Sequence, residues 1–170
     1  MRSIGVTLGT VMVFHIAAGT PTLAAQAGKA PSAAGTHACS LITDADITRI
    51  TGRANRFNTP PERAEMPNGS TTCSFVGLDI TLTPRVTAQN FETNRKAAAQ
   101  QPNTATEPLS EVSDEAYYLI RTRSSSSNVG IVFRTGTNQI ALGDRVRSDS
   151  VAWFKPKLVE LAKLAATKLR

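Results

Sequence analysis

The chain has 170 residues, of which 41% are hydrophobic and 5% aromatic, and its formal net charge is +6. This length corresponds to one ordinary domain, which can bury a core without needing a disulfide to fold. After the first thirty residues no segment approaches the about 20 consecutive apolar residues of a membrane span, which excludes a transmembrane span once a signal is removed.

The N-terminus has the features of a secretion signal. Met1 and Arg2 give a positive start, residues 4–18 are mostly apolar, and Ala25-x-Ala27 fits the cleavage rule. We therefore predict a signal peptide over residues 1–27, with cleavage after Ala24 as the second choice. The mature protein is expected to be exported, either periplasmic or secreted.

The only two cysteines, Cys39 and Cys73, lie beyond the predicted signal. In an oxidising compartment they are expected to form one structural disulfide, which the chain-entropy model values at about 3–4 kcal/mol. Their spacing is not that of a Cys-x-x-Cys redox motif. Cys39 follows Thr36-His37-Ala38 and lies far from the apolar stretch, so we do not expect it to be lipidated.

The first part of the mature chain predicts a linker and then a short helix. Residues 28–38 are rich in Ala, Gly, Ser and Pro and form a predicted flexible lead-in. Residues 39–170 are predicted to form a single domain. Thr43 and Asp46 are spaced as a capping box, Ile42 and Ile47 as a hydrophobic staple, and Gly52 ends the helix.

The next segments read as strands and turns. Residues 53–58 are a possible first strand, and the prolines of residues 60–69 mark a polar loop. Residues 70–76 and 78–83 are predicted strands joined by a turn at Gly77, and strict alternation makes the second the clearest strand in the chain.

The remaining predicted elements are two helices and three strands. Residues 87–101 form a polar helix with a thin buried stripe, residues 124–128 a turn or flexible loop, and residues 150–169 a closing helix. Pro156 either kinks that helix or marks its true start. The strands are predicted over residues 116–120, 129–134 and 139–146.

The order of these elements predicts an α+β fold. Hairpin-length connections favour an antiparallel sheet over alternating βαβ units. The sheet should pack with a short N-terminal helix, a middle helix and a long C-terminal helix as an α/β sandwich.

Four segments carry a family resemblance: residues 39–52, 73–75, 112–117 and 158–163. Together they resemble an uncharacterised family of small exported bacterial proteins and lipoproteins. The family starts its domain with Cys-x-Leu-Leu-Thr, an acidic helix start and a glycine, and later has a Gly-Asp-Glu-Ala-Tyr-like segment. The resemblance implies export and possible kinship with PsbP-like sandwiches, and no activity. Ser113 replaces the expected glycine, and a lipidation cysteine is lacking.

The side chains needed for common catalytic sites are scarce. His15 leaves with the signal, so His37 is the only histidine of the mature chain, and it lies in the predicted lead-in. A catalytic triad needs a positioned imidazole, and catalytic zinc needs two or three such ligands. Gly-x-Ser-x-Gly, Ser-x-x-Lys and phosphate-binding glycine loops are also lacking. We predict a non-enzymatic protein without a metal or cofactor.

Asp114 and Glu115 are the carboxylates of greatest interest. They could bind a cation or act as an acid–base pair at the entrance of a strand. They could equally form a turn that satisfies backbone donors.

Two surfaces are candidates for binding. Trp153, Phe154, Tyr117 and Phe133 could line a groove between the sheet and the last helix, or they could simply anchor that helix. The basic residues of the last helix could meet anionic lipid or polymer, or form a solvated face. These basic residues are Lys157, Lys163, Lys168 and Arg170.

The preferred hypothesis is an exported domain that binds a small ligand or an envelope protein. The alternatives are electrostatic docking to anionic membrane or polymer surfaces, and a carboxylate-based hydrolase around Asp114 and Glu115. Export and the lack of interleaved aromatic and basic residues argue against nucleic acid as a partner.

Overall fold

One antiparallel sheet frames the domain. The computed structural model describes residues 36–55, 59–113 and 115–169, and within them seven strands form the sheet and three α-helices accompany it. The predicted signal peptide and most of the predicted lead-in lie outside these residues. The architecture confirms the predicted α+β class, with a short N-terminal, a middle and a long C-terminal helix.

The sheet places β1 and β4 at its two edges. Its order is β1-β2-β3-β7-β6-β5-β4, and each neighbouring pair is antiparallel. The strands are β1 (Glu62–Glu65), β2 (Thr71–Phe75), β3 (Leu78–Thr83), β4 (Thr104–Pro108), β5 (Glu115–Thr122), β6 (Ser126–Thr135) and β7 (Asn138–Arg147). The helices are α1 (Asp44–Thr51), α2 (Ala88–Ala99) and α3 (Val151–Thr167), with short 3₁₀ helices at Ala38–Ser40 and Ser148–Ser150.

The predicted capping box starts α1. The Thr43 hydroxyl oxygen accepts a bond from the backbone N–H of Asp46 at 3.2 Å, and the Asp46 carboxylate accepts one from the backbone N–H of Thr43 at 3.1 Å. The Thr43 hydroxyl also donates to that carboxylate, and this bond is the main reason that the pKa of Asp46 lies below its ordinary value. The helix ends at Gly52, whose φ of 70° suits a glycine.

Three strand predictions need correction. The first strand, β1, lies in the predicted loop, residues 53–55 form no strand, and residues 56–58 lie outside the described part of the chain. The strand β4 was not predicted, and β6 begins at Ser126 inside the predicted turn. Strands β1 and β4 lack apolar alternation, because β1 is exposed along its whole length and β4 is half-exposed at the opposite edge.

The closing helix α3 begins at Val151 and continues through Pro156. The alternative that the helix starts at Pro156 is therefore wrong. Pro156 cannot donate a backbone hydrogen bond to the carbonyl of Ala152. The helix tolerates this missing bond because it lies close to the helix start. The predicted apolar stripe is buried at Phe154, Leu158, Leu161 and Ala165.

The face of the sheet that α1 and α3 accompany, called the core face here, carries the main hydrophobic core. Strand alternation turns one set of side chains from β3, β6 and β7 to this face, where α3 packs on β6 and β7, and these residues are almost completely buried. They are Leu78, Ile80, Leu82, Val129, Ile131, Phe133, Ile140 and Leu142.

The predicted disulfide joins the start of the domain to the sheet. Cys39 in the first 3₁₀ helix bonds to Cys73 in β2, and their Cα atoms are 5.0 Å apart. Ala38, Leu41 and Ile42 around it are fully buried in the main core. The bond therefore ties the buried segment that precedes α1 to strand β2.

The opposite face of the sheet, called the groove face here, is thinly covered. Only Phe91 of α2 is buried, and it packs on Tyr117 with the ring centroids 5.4 Å apart. Val86 and Val132 complete this small second cluster. Much of the groove face therefore lacks a covering element within the described residues.

Candidate functional site

An open groove of about 410 Å³ lies on the groove face, beside the small cluster under α2. This volume falls within the range of small-molecule sites, about 300–1,000 Å³. Side chains of β3, β5, β6 and β7 that share this face line it. The lining residues include Asp79, Thr81, Leu119, Arg121, Asn128, Val132, Ala141 and Arg145, together with Gly130 and Gly143.

Two opposed glycines form the floor of the groove. Gly130 of β6 pairs directly with Gly143 of β7. A Cβ atom at Gly143 would lie 2.6 Å from the carbonyl oxygen of Val129 and 2.8 Å from the Cα of Gly130, closer than real Cβ atoms approach. Gly143 is therefore required by the close approach of the two strands. With no side chain at either position, the floor is bare backbone.

A row of three polar side chains crosses one end of the groove. Arg121 of β5 lies opposite Asn128 of β6, which lies opposite Arg145 of β7. Neighbouring strands are about 4.8 Å apart, so the backbones of the two arginines are separated by about 10 Å. In this register, Asn128 stands between the two arginine positions.

Both arginines of this row bond to neutral oxygen atoms. Arg145 Nε donates to Ser126 Oγ at 3.0 Å, and Arg121 Nε donates to Thr104 Oγ1 at 3.3 Å. Arg121 also donates through Nη2 to Gln101 Oε1. Neither arginine forms an ion pair with any residue that the structure describes. Their positive charges are therefore not neutralised within that part of the chain.

The rest of the groove combines an acidic group with apolar walls. Asp79 of β3 lies opposite Gly143, is exposed, and has no ion-pair partner among the described residues. Thr81 lies two residues further along the same face. Leu119, Val132 and Ala141 supply the apolar surface. The groove is thus lined by two arginines and one carboxylate that lack an ion-pair partner in the described part of the chain. These groups give the groove a net positive charge.

The four aromatic residues predicted to line one ligand groove do not come together. Phe133 and Phe154 are fully buried in the core, where they anchor α3 on the sheet. Tyr117 lies on the groove face under Phe91, because alternation along β5 turns it away from α3. Only Trp153 is open to solvent, with 48% of its surface exposed. The expected groove between the sheet and the last helix is thus filled by packing.

Trp153 has cations as its neighbours. The guanidinium of Arg53 lies 5.6 Å and the Lys157 ammonium 4.8 Å from the centre of its ring. Arg53 also pairs with Asp144 of β7 at 2.5 Å. The indole therefore takes part in a contact that joins the segment after α1 to β7 and α3.

Burial raises the pKa of both tyrosines of β5. The effect of desolvation is the largest cause for Tyr117 and for Tyr118. The Tyr118 hydroxyl donates to the carbonyl of Lys155 at 3.4 Å, and the Lys155 ammonium lies 4.3 Å from its ring centre. Tyr118 therefore helps to hold α3 on the core face.

The lysines predicted to meet an anionic surface are engaged within the protein. Lys157 Nζ donates to the carbonyl of Ile50 at 3.0 Å and Lys168 Nζ to that of Ser40 at 3.4 Å. Lys163 pairs with Glu111 at 3.1 Å. Arg170 lies outside the described residues. These contacts draw the ammonium groups towards α1 and the loop before β5.

Only one residue of the predicted carboxylate pair lies in the described part of the chain. Asp114 lies outside the described residues, and Glu115 pairs with Arg134 on the neighbouring strand β6. Within residues 36–55, 59–113 and 115–169, no group of three His, Cys, Asp or Glu side chains could hold a metal ion. His37 accepts a bond through Nδ1 from the backbone N–H of Cys39 and so caps the first 3₁₀ helix.

Sequence reasoning missed the groove, because its parts are far apart in the chain. Arg121, Asn128 and Arg145 become neighbours only through the register of three strands. The only local signal was one glycine inside each of two predicted strands, Gly130 and Gly143. A glycine inside a strand often marks a close approach of the backbone.

Comparisons of the chain with models of known protein families, with curated proteins and with solved structures gave no significant match. The family resemblance described above therefore stays a prediction. In the described part of the chain, no helix has both the length and the hydrophobicity needed to cross a bilayer.

Proposed function

We propose that the mature protein is an exported, non-enzymatic binding domain that holds a small molecule in the groove. The observation that carries this proposal is the groove itself, a concave surface of about 410 Å³ with a bare-backbone floor, apolar walls and a few convergent polar groups. This combination is typical of small-molecule sites.

Export is supported by two features of different kinds. The N-terminal sequence has the charge, apolar stretch and small residues of a secretion signal. The Cys39–Cys73 disulfide is typical of proteins from oxidising compartments. Together they favour a periplasmic or secreted protein.

The groove lining favours binding over catalysis. Its polar groups are two arginines, carboxylates, an amide and a hydroxyl, and none of its described residues is His, Cys or Lys. Arginine stays protonated at any physiological pH, so it serves as a fixed donor rather than as a general base. The chemistry on offer is hydrogen bonding, charge attraction and apolar contact.

The two alternative functions gain no support from a particular contact. For docking to an anionic membrane or polymer, Lys163 pairs with Glu111, and Lys157 and Lys168 are held by backbone carbonyls, which leaves their charges without an anionic partner but gathers them into no concave site. A carboxylate hydrolase requires an available pair at Asp114 and Glu115, and Glu115 pairs with Arg134.

The test is native mass spectrometry of the unreduced protein purified from its exported fraction. Thr81→Trp places a large side chain in the groove, whereas Thr167→Trp adds the same side chain to α3, which packs on the opposite face of the sheet. Thr81 is partly exposed and Thr167 is exposed, so each variant should fold.

We expect the wild-type protein and Thr167→Trp to carry the same non-covalent added mass, and Thr81→Trp to lack it. An added mass of equal abundance on Thr81→Trp would contradict the location of the site. A bare wild-type protein would contradict tight binding of a small molecule in the compartment where the protein works.

A further inference from the structure

We infer that the groove recognises a small carboxylic acid with a flat apolar body, and that Arg121 and Arg145 hold the carboxylate. The inference rests on the proposed function and names the chemical class of its ligand. It follows from the register that places the two arginines in one row, from their neutral partners and from the shape of the floor.

The charge argument compares the arginines of one face. Arg134 also points to the groove face, but it pairs with Glu115 on the neighbouring strand. Arg121 and Arg145 instead bond to side-chain oxygens that carry no charge. A protein that needed these arginines only for strand pairing would gain more from a carboxylate partner, as Arg134 has. A negatively charged ligand can supply that partner.

The donor geometry leaves room for a carboxylate. Arginine has five N–H donors in a planar fork, which matches the two oxygen atoms of a carboxylate. In the described structure Arg145 uses only Nε, so both of its Nη groups are available, and Arg121 keeps Nη1. Asn128, on the strand between them, carries a further amide donor.

The floor selects the body of the ligand. Gly130 and Gly143 expose flat backbone next to the polar row, and Leu119, Val132 and Ala141 border it with apolar surface. A planar ring can lie on bare backbone without meeting a side chain. The head of the ligand would then reach the row of Arg121, Asn128 and Arg145.

Asp79 limits the net charge that the groove accepts. It lies at the side of the floor, level with Gly143 on the neighbouring strand, and repels a ligand that carries more than one negative charge. A single carboxylate therefore fits better than a phosphate ester or a dicarboxylic acid. Removal of the Asp79 charge should strengthen the binding of any anion.

The test is calorimetric titration of the mature, oxidised protein with three probes of nearly equal shape. Phenylacetate carries a negative charge, 2-phenylethanol is neutral, and 2-phenylethylamine is positive. We expect phenylacetate to bind about ten to a hundred times more tightly than the alcohol, as expected for hydrogen bonds to a charged group. The amine should bind most weakly.

Four variants assign the effect to residues. Arg121→Gln and Arg145→Gln should each weaken phenylacetate binding about tenfold or more and leave the alcohol unchanged. Asp79→Asn should tighten phenylacetate binding. Arg63→Gln, which removes one charge from an exposed edge-strand position outside the groove, should change nothing.

The outcomes separate the ligand class from the proposed function. Equal binding of acid and alcohol, with both lost in Thr81→Trp, would overturn the recognition of carboxylates and keep the groove as a binding site. Tighter binding of the amine would overturn it in favour of Asp79. If no probe binds and the wild-type protein carries no added mass, both proposals fail.

Discussion

The two faces of the sheet bury very different amounts of apolar surface. The core face buries a continuous cluster that includes most of the domain's large apolar side chains, and a disulfide and two helices close it. Among the described residues, the buried hydrophobic cluster on the groove face has only four members, and the polar helix α2 contributes one buried side chain to it. The contrast indicates that stability comes from one face, which leaves the other free to keep an open, polar groove.

The largest expected effect compares one phenylalanine from each face. Phe154→Ala should lower the free energy of unfolding by about 3–5 kcal/mol, because its side chain is fully buried in the main core. Phe91→Ala should lower it by about 1–3 kcal/mol, because its cluster is small and lies at the surface. Chemical denaturation of both variants measures the difference. Equal losses would contradict the division of tasks between the faces.

Removal of the disulfide tests the core face separately. The double variant Cys39→Ala/Cys73→Ala should lose about 3–4 kcal/mol, since the bond closes a loop between residues 34 positions apart. Unfolding of the variant and of the wild-type protein should be followed under the same non-reducing conditions. If the groove is independent of this bond, phenylacetate affinity of the folded variant should match that of the wild-type protein.

Gly143→Ala tests the floor of the groove. The new Cβ would meet the carbonyl of Val129 and the Cα of Gly130, so we expect a loss of about 1–3 kcal/mol from strand displacement. Gly130→Ala should cost less, because its Cβ would approach only the Leu142 carbonyl, at 3.0 Å. A stability change in the reverse order, measured by thermal unfolding, would show that the strands are not held this close.

The ion pair of Lys163 and Glu111 should matter little. Both side chains are about half exposed or more, so Lys163→Ala should change the free energy of unfolding by less than about 1 kcal/mol. Glu111→Ala serves as the control for the same pair. A larger loss in both variants would mean that the charges of α3 stabilise the core face more than its apolar stripe suggests.

The smallest predicted effect concerns Glu92 on α2. Its hydrogen bond to Arg95 is the main cause that lowers its pKa from 4.5 to about 2. Because the folded-state pKa is depressed, the pair stabilises α2 above pH 4.5, and this contribution is lost as the pH falls towards 2. An NMR titration of the Glu92 carboxyl carbon measures the midpoint, with Arg95→Gln as the control. A midpoint near 4.5 in the wild-type protein would disprove the pairing.

The sequence predicts elements best where local signals agree. Thr43 and Asp46 form the expected capping box, and the helical stripe that includes Phe154 and Leu158 is buried as predicted. The edge strands β1 and β4 escaped prediction because an edge strand pairs on one side only and needs little apolar alternation.

The site was far less predictable than the fold. Tyr117 and Tyr118 are adjacent, and the sequence alone does not determine which of the two faces α3, so the expected ligand residues were drawn from both faces. The groove depends on the register that aligns Arg121, Asn128 and Arg145 across three strands. Such a register is set by the packing of the whole sheet, and no local pattern contains it.

The most direct test of the account is an amide and indole NMR titration of labelled protein, residues 28–170, with phenylacetate. The account predicts that the backbone signals of Asn128, Gly130 and Gly143 shift in a saturable way, while the indole signal of Trp153, the only tryptophan, stays in place. A shift of the Trp153 indole with unmoved groove signals would contradict it and return the ligand to the start of α3.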